Sequence, residues 1–209
     1  EDRGEVELAR KGQVPRAVTL SDICGDLHTH SEASDGVDTV EAMAAAAEAL
    51  GYEYLAITDH SRSLTVGNGL SAERLLESME HVRRVNEDRP GIHLLIGTEV
   101  EIDEREGLDY PPKLLEDLDI VVAAVHSRFK MAPEDMTERL VTAVSNENVN
   151  VLAHPTGRII GEREGYSFDM ERVMQAAKDN GVAMEVNAFP ERLDLSDLHC
   201  AMARERGVA

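Results

Sequence analysis

A chain of 209 residues, 42% of them apolar, is long enough for one domain with a sizeable core, and its net charge of −20 excludes a broad basic surface for nucleic acid. Two cysteines, Cys24 and Cys200, exclude a disulfide framework and a Cys-x-x-Cys site, and no apolar run approaches the roughly 18 residues of a membrane span. Of the 21 basic residues only Lys11, Lys113, Lys130 and Lys178 are lysine, so any phosphate recognition must be local. The lysine-poor, acid-rich balance fits a high-salt interior in which surface repulsion is screened, and a reduced, cytoplasmic protein is expected.

Residues 1–19 are polar, open on Glu1-Asp2-Arg3-Gly4, and read as a linker remnant after an absent preceding region; 20–209 is the domain proper. A strand is predicted over 20–27, handing over to the polar loop that ends in Asp35-Gly36. Asp38 or Thr39 can cap a helix through Leu50, closed by Gly51. A second strand over 54–58 ends in Asp59-His60-Ser61; after Gly67-Asn68-Gly69, Ser71 caps a helix to about Arg89, stopped by Pro90-Gly91. The third strand covers 93–102, Pro111-Pro112 open a short helix to about Asp117, and the apolar run 120–125 is a buried parallel strand ending at His126. Pro133 starts a helix to about Ser145. Strand five, 149–153, ends in His154-Pro155, Asp169 caps a helix to Asn180-Gly181, strand six is 182–188, Ser196 caps the last helix, and 207–209 begins a seventh strand.

Strand then helix, repeated six times, gives a parallel sheet with crossover helices, closed or nearly closed into a barrel. In such barrels chemistry sits where the strands end. His28, His30, His60, Glu99, His126 and His154 all fall at or near the carboxyl ends of five different strands, whereas His81 and His199 fall inside helices and His93 begins a strand. In an extended chain alternate side chains share a face, so His28 and His30 point the same way and can hold one ion.

Five imidazoles with Asp35 and Glu99 are too many ligands for one tetrahedral ion, so two or three divalent metals are implied. Imidazole and carboxylate ligation without sulfur fits zinc, manganese or iron better than magnesium or calcium. Paired ions suit phosphate ester hydrolysis, with the metal-binding His28, His30, Glu99, His126 and His154 as the catalytic set. Glu101 and Asp103 share a strand face with Glu99, and periodicity does not choose among the three. Asp59 is either an acceptor for an imidazole N–H or a loop cap. Arg128, Arg158 and Arg192 follow strand ends and can each clamp a phosphate oxygen or pair with an acid in a solvated loop; Lys130 and Arg163 rank below them. Asn187 can donate to substrate or cap a turn.

The ordered set His28-Thr29-His30, Ser34-Asp35-Gly36, Thr58-Asp59-His60, Gly97-Thr98-Glu99, Val125-His126-Ser127 and Ala153-His154-Pro155 resembles the polymerase and histidinol phosphatase (PHP) superfamily of metal-dependent phosphoesterases. Gly25-Asp26-Leu27-His28, His154-Pro155-Thr156-Gly157-Arg158 and Glu185-Val186-Asn187-Ala188 with Arg192-Leu193-Asp194-Leu195 are similar to the C-terminal PHP domain of family X DNA polymerases, and Glu1-Asp2-Arg3-Gly4-Glu5 to the linker that follows the polymerase part. The resemblance implies a distorted (β/α)7 barrel, here without its last strand and helix, holding up to three ions, manganese or zinc above others: one on His28, His30 and Glu99, one on Glu99, His126 and His154, and one on Asp35 and His60. It implies removal of nucleotides from DNA 3′ ends, with no membrane partner and a polymerase domain in cis. The family's closing Asp-x-His is not in this sequence, so weak metal binding at two of three positions and poor activity are expected. Two other readings stand beside the exonuclease: a small-molecule phosphatase of the histidinol phosphatase kind, and a degenerate scaffold without catalysis.

Overall fold

Thr39, Ser71, Asp169 and Ser196 each accept a hydrogen bond from the backbone N–H three residues on, and each starts a helix. In the computed structural model, which describes residues 4–14, 16–103 and 107–209, these are α2 (Val40–Ala49), α3 (Ala72–Asp88), α6 (Met170–Asn180) and α7 (Asp197–Arg206). Gly51, Gly181 and Gly207 leave α2, α6 and α7 in the left-handed conformation, with φ of 80°, 71° and 72°. Pro112 and Pro133 occupy the first turns of α4 (Pro112–Leu115) and α5 (Pro133–Val144).

The strands between these helices are β1 (Gly25–Thr29), β2 (Tyr54–Ile57), β3 (His93–Glu101), β4 (Ile120–Ala124), β5 (Val151–Leu152) and β6 (Ala183–Met184). All pair in parallel, in chain order from β1 to β6. β3 serves two partners. Its residues 93–96 pair with β2 and its residues 97–101 with β4, and this stagger is what a sheet needs in order to tilt and curl. Five inter-strand steps of about 4.8 Å would hold β1 and β6 roughly 24 Å apart in a flat sheet. Instead His28 on β1 lies 2.7 Å from Glu185, the residue after β6, so the sheet curls until its two ends meet at the carboxyl-terminal rim.

Alternation along β4 separates two packing layers. Val121, Ala123 and Val125 pack with the helices, while Ile120, Val122 and Ala124 join Ala56 and Ala153 in a smaller inner cluster. Val122 is the register partner of Glu99, so the inner cluster forms the floor beneath the rim.

Four expectations shift in detail. Residues 20–22 form a single 3₁₀ turn rather than the start of a strand, because Thr19 N–H and Oγ1–H both donate to Asp22 Oδ2, at 2.8 and 2.7 Å. Residues 185–188 leave the predicted sixth strand for a hairpin, bridged antiparallel between Asn187 and Asp194. Within the expected linker 1–19, residues 5–10 form a short helix, α1 (Glu5–Arg10), with no buried residue; residues 1–3 and 15 lie outside the described residues. Of the seventh strand expected from 207, the structure shows one hydrogen bond, Met184 N–H to the Ala209 carbonyl at 2.9 Å, and six strands are present among the described residues.

Candidate metal centre

Glu99 is the hub. Its side chain is 1% exposed and stands on the half of β3 that pairs with β4. Oε1 lies 3.3 Å from His28 Nε2, 3.2 Å from His126 Nε2 and 2.8 Å from His154 Nε2; Oε2 lies 3.5 Å from His30 Nε2 and 2.8 Å from His60 Nδ1. The five rings close a circle around it, with neighbouring centroids 5.2 Å apart for His28–His30, 4.2 Å for His30–His60, 5.2 Å for His60–His126, 5.3 Å for His126–His154 and 5.9 Å for His154–His28. Asp35 flanks the circle, 3.3 Å from His60 Nε2 and 3.8 Å from His30 Nδ1.

The loop that carries Asp35 is held from beneath by Asp59. This buried carboxylate accepts from Ser31 N–H at 2.7 Å, Ser31 Oγ at 2.6 Å and Ser34 Oγ at 2.6 Å. Of its two predicted roles, Asp59 therefore has the loop cap. Gly36 closes the same loop so tightly that a Cβ there would meet the His30 carbonyl at 2.1 Å.

Two further carboxylates fix the rings from behind. Glu101 Oε2 lies 2.9 Å from His126 Nδ1 and accepts from His126 N–H, while Oε1 accepts from Ser127 Oγ and from the buried Arg139. Glu185 Oε1 lies 2.7 Å from His28 Nδ1, and Oε2 accepts from His154 N–H at 2.6 Å. Each contact holds the proton on Nδ1 and turns Nε2 toward Glu99. Glu101 thus supports the ring from outside it, and Asp103 is exposed beside a separate cavity. Glu185 is a site residue that pattern reading did not single out, because it falls inside the predicted sixth strand, 182–188, whereas β6 ends at Met184 and leaves Glu185 at the rim.

The electrostatics follow the geometry. Burial works to lower the His28 and His126 imidazoles, but the Glu99 charge with Glu185, and Glu101 with Glu99, hold them up at about 10 and about 9. Burial keeps His30 and His154 below the usual range despite Glu99. Burial would raise the Glu99 carboxyl, and the surrounding histidines, His28 first, carry it well below its ordinary value.

His30 Nδ1, His60 Nδ1, His154 Nδ1 and Glu99 Oε2 are buried without a hydrogen-bond partner. Four orphaned polar atoms in one circle are costly unless a ligand satisfies them, and all can donate a lone pair to a cation. Among the described residues three groups bring one ligand atom each to within 4.8 Å of one another: His28, His30 and Glu99; His30, Asp35 and His60; and His60, Glu99 and His126. Ligands about 2.0–2.1 Å from a shared ion stand about 3 Å apart, close to the separations around Glu99. The residues fit divalent metal.

The arginines separate. Arg192 lines the cavity of about 840 Å³ above the ring, with its Nη1 buried and unpartnered. Arg158 instead donates to the backbone carbonyls of Arg192 (2.8 Å) and Leu193, so it holds the loop that carries Arg192. Arg128 lines a second cavity with Asp103 and Met131, away from the ring. Arg163 donates to the Gly157 carbonyl and lies over the Phe129 ring; Lys130 is exposed. Asn187 donates to Glu185 Oε2 at 3.3 Å and accepts from Phe189 N–H, which gives it the turn-capping role. His81 pairs with Glu41, His93 is exposed at the start of β3 and His199 lies in α7, all outside the ring as predicted.

A parallel α/β sheet curled until its ends meet, with imidazoles and carboxylates converging at its carboxyl-terminal rim, defines a barrel able to hold metal there. The chain belongs to the PHP domain family, whose model matches residues 26–189. It is 42% identical over 91% of its length to the DNA polymerase/3′-5′ exonuclease PolX of Bacillus subtilis, of which it spans 34%. It is 35% identical over 78% of its length to a probable phosphatase of Acetivibrio thermocellus, spanning 64% of that protein. The histidinol phosphate phosphatase of Lactococcus lactis, solved with zinc, L-histidinol and phosphate, shares the fold at a TM-score of 0.56 and 17% identity, over 88% of this chain and 82% of that one. No helix among the described residues is long and apolar enough to cross a membrane.

Proposed function

We propose that this chain is a metal-dependent phosphodiesterase domain that removes nucleotides from DNA 3′ ends, acting beside a polymerase domain in cis. The observation that carries the reading is the circle of five imidazoles around one buried carboxylate, open to a cavity of nucleotide size. The likeness to a polymerase/exonuclease over nearly the whole chain supports DNA as the substrate class.

The proposed ligands are His28, His30 and Glu99 for one ion, Glu99, His126 and His154 for a second, and Asp35 with His60 for a third. Divalent ions held there supply a water of lowered pKa and neutralise the charge that builds on the phosphoryl oxygens. The protein's own contribution is orientation. Glu185 and Glu101 keep the protons of His28 and His126 on Nδ1, Asp59 holds the loop that brings Asp35 in, and Arg192 offers its free Nη1 to a phosphate oxygen entering the cavity.

A second reading, a small-molecule phosphomonoesterase, is favoured by the probable phosphatases among the relatives. Manganese- or zinc-dependent digestion of a 5′-labelled single strand, run beside phosphate release from histidinol phosphate, separates the two. A ladder of shortened strands is expected. Phosphate release without a ladder would move the assignment to the phosphatase, and inactivity on both with metal bound would support the scaffold.

A further inference from the structure

Of the seven phenylalanine and tyrosine side chains, Phe189 alone is exposed, at 62%, whereas Phe129 and Phe168 pack against the core. It lines the mouth of the metal-centre cavity with Val186 and Pro190. An aromatic ring left in water beside a polar active-site cavity gains nothing for the fold.

The loop beneath it is well fixed. Asn187 and Asp194 exchange backbone hydrogen bonds across the hairpin, Asn187 Oδ1 accepts from Phe189 N–H, and the Phe189 carbonyl accepts from Arg192 and Leu193 N–H. Arg158 ties the carbonyls of Arg192 and Leu193 from the other side. The ring is therefore presented on a rigid tip, next to Arg192, the arginine that lines the cavity.

We infer that Phe189, backed by Pro190, is the platform on which the base of the 3′-terminal nucleotide stacks while its phosphate faces Arg192 and the metal centre. The inference rests on the proposed reaction and names what that site recognises. A chain with net charge −20 draws little on the phosphate backbone for affinity, so a sequence-tolerant aromatic contact beside one arginine carries a large share of the grip.

The test uses an oligonucleotide ending in 3′-terminal 2-aminopurine, joined by a phosphorothioate linkage that slows cleavage, titrated with the protein in zinc. Stacking on Phe189 is expected to quench the fluorescence, with Phe189→Trp retaining the quench and Phe189→Ala losing it and weakening binding about tenfold. In parallel, cleavage of a normal 3′ end is compared with that of an abasic 3′ end. The wild-type chain should favour the base-bearing end about tenfold, and Phe189→Ala should treat both alike. Equal quenching and equal discrimination in wild type and Phe189→Ala would overturn the platform while leaving the exonuclease reading intact. Quenching that depends on Phe189 without any cleavage would uphold the platform and overturn the exonuclease reading. Absence of both quenching and discrimination in the wild-type chain would overturn the platform.

Discussion

The half of the rim built on β2, β3 and β4 and the half built on β5 and β6 place their side chains by different means. In the first half long ladders do the work: β3 is paired along all nine residues, and Glu99 and Glu101 stand where the register puts them. In the second half the strands are two residues each, and buried side chains substitute for the missing ladder. Glu185 accepts from His154 N–H, and Asp194, wholly buried, accepts from Thr156 and Gly157 N–H at 2.9 Å each. His154 itself sits at φ 27°, an uncommon conformation for a side chain with a Cβ, which these contacts maintain. A loop can thus present a side chain with strand-like accuracy, provided that charged acceptors replace the sheet.

The sharpest way to break the first half is Glu99→Gln. It removes the one charge that all five imidazoles face, and hydrolysis should fall by about a thousandfold, equivalent to about 4 kcal/mol, with metal content measured by atomic absorption falling alongside. In the second half Asp194→Ala leaves two buried N–H groups without an acceptor. It should cost about 2–3 kcal/mol in thermal or urea unfolding, and amide exchange should show the loss concentrated at 154–157. Glu185→Gln tests whether a side chain that spans the seam between β1 and β6 acts through the rings it holds. Metal affinity by calorimetry should drop about 10- to 100-fold.

The smallest effect is a control far from the seam. Burial would raise the Asp109 carboxyl, yet hydrogen bonds from Ser63 and Arg62 hold it below the usual range. A group with a depressed folded-state pKa stabilises above its unfolded pKa of about 4, and that contribution is lost as the pH falls through the folded value. Asp109→Asn should therefore lower the urea midpoint slightly at pH 7, and the difference should shrink as the pH falls below about 4.

The first half was also the more legible in sequence. An apolar run such as 120–125 declares its strand, and Thr39, Ser71, Asp169 and Ser196 declare their helices because capping is local chemistry. The five rim histidines are legible from their positions at or near the carboxyl ends of strands. What periodicity could not separate was Glu99 from Glu101, since residues two apart share a face; only the curl of the sheet decides which reaches the centre. Glu185 and the role of Arg158 were hidden for a related reason. Their partners lie 157 and 34–35 residues away in the chain, and contacts across a seam leave no local pattern.

The divided pairing of β3 bears on how the molecule comes apart. A strand clasped on one side along its first four residues and on the other along its next five is released only when both neighbours let go. Partial openings that begin at the two-residue strands can free His154 and Glu185 while Glu99 stays clasped. In openings of that kind the hub carboxylate is the last piece of the site to be lost.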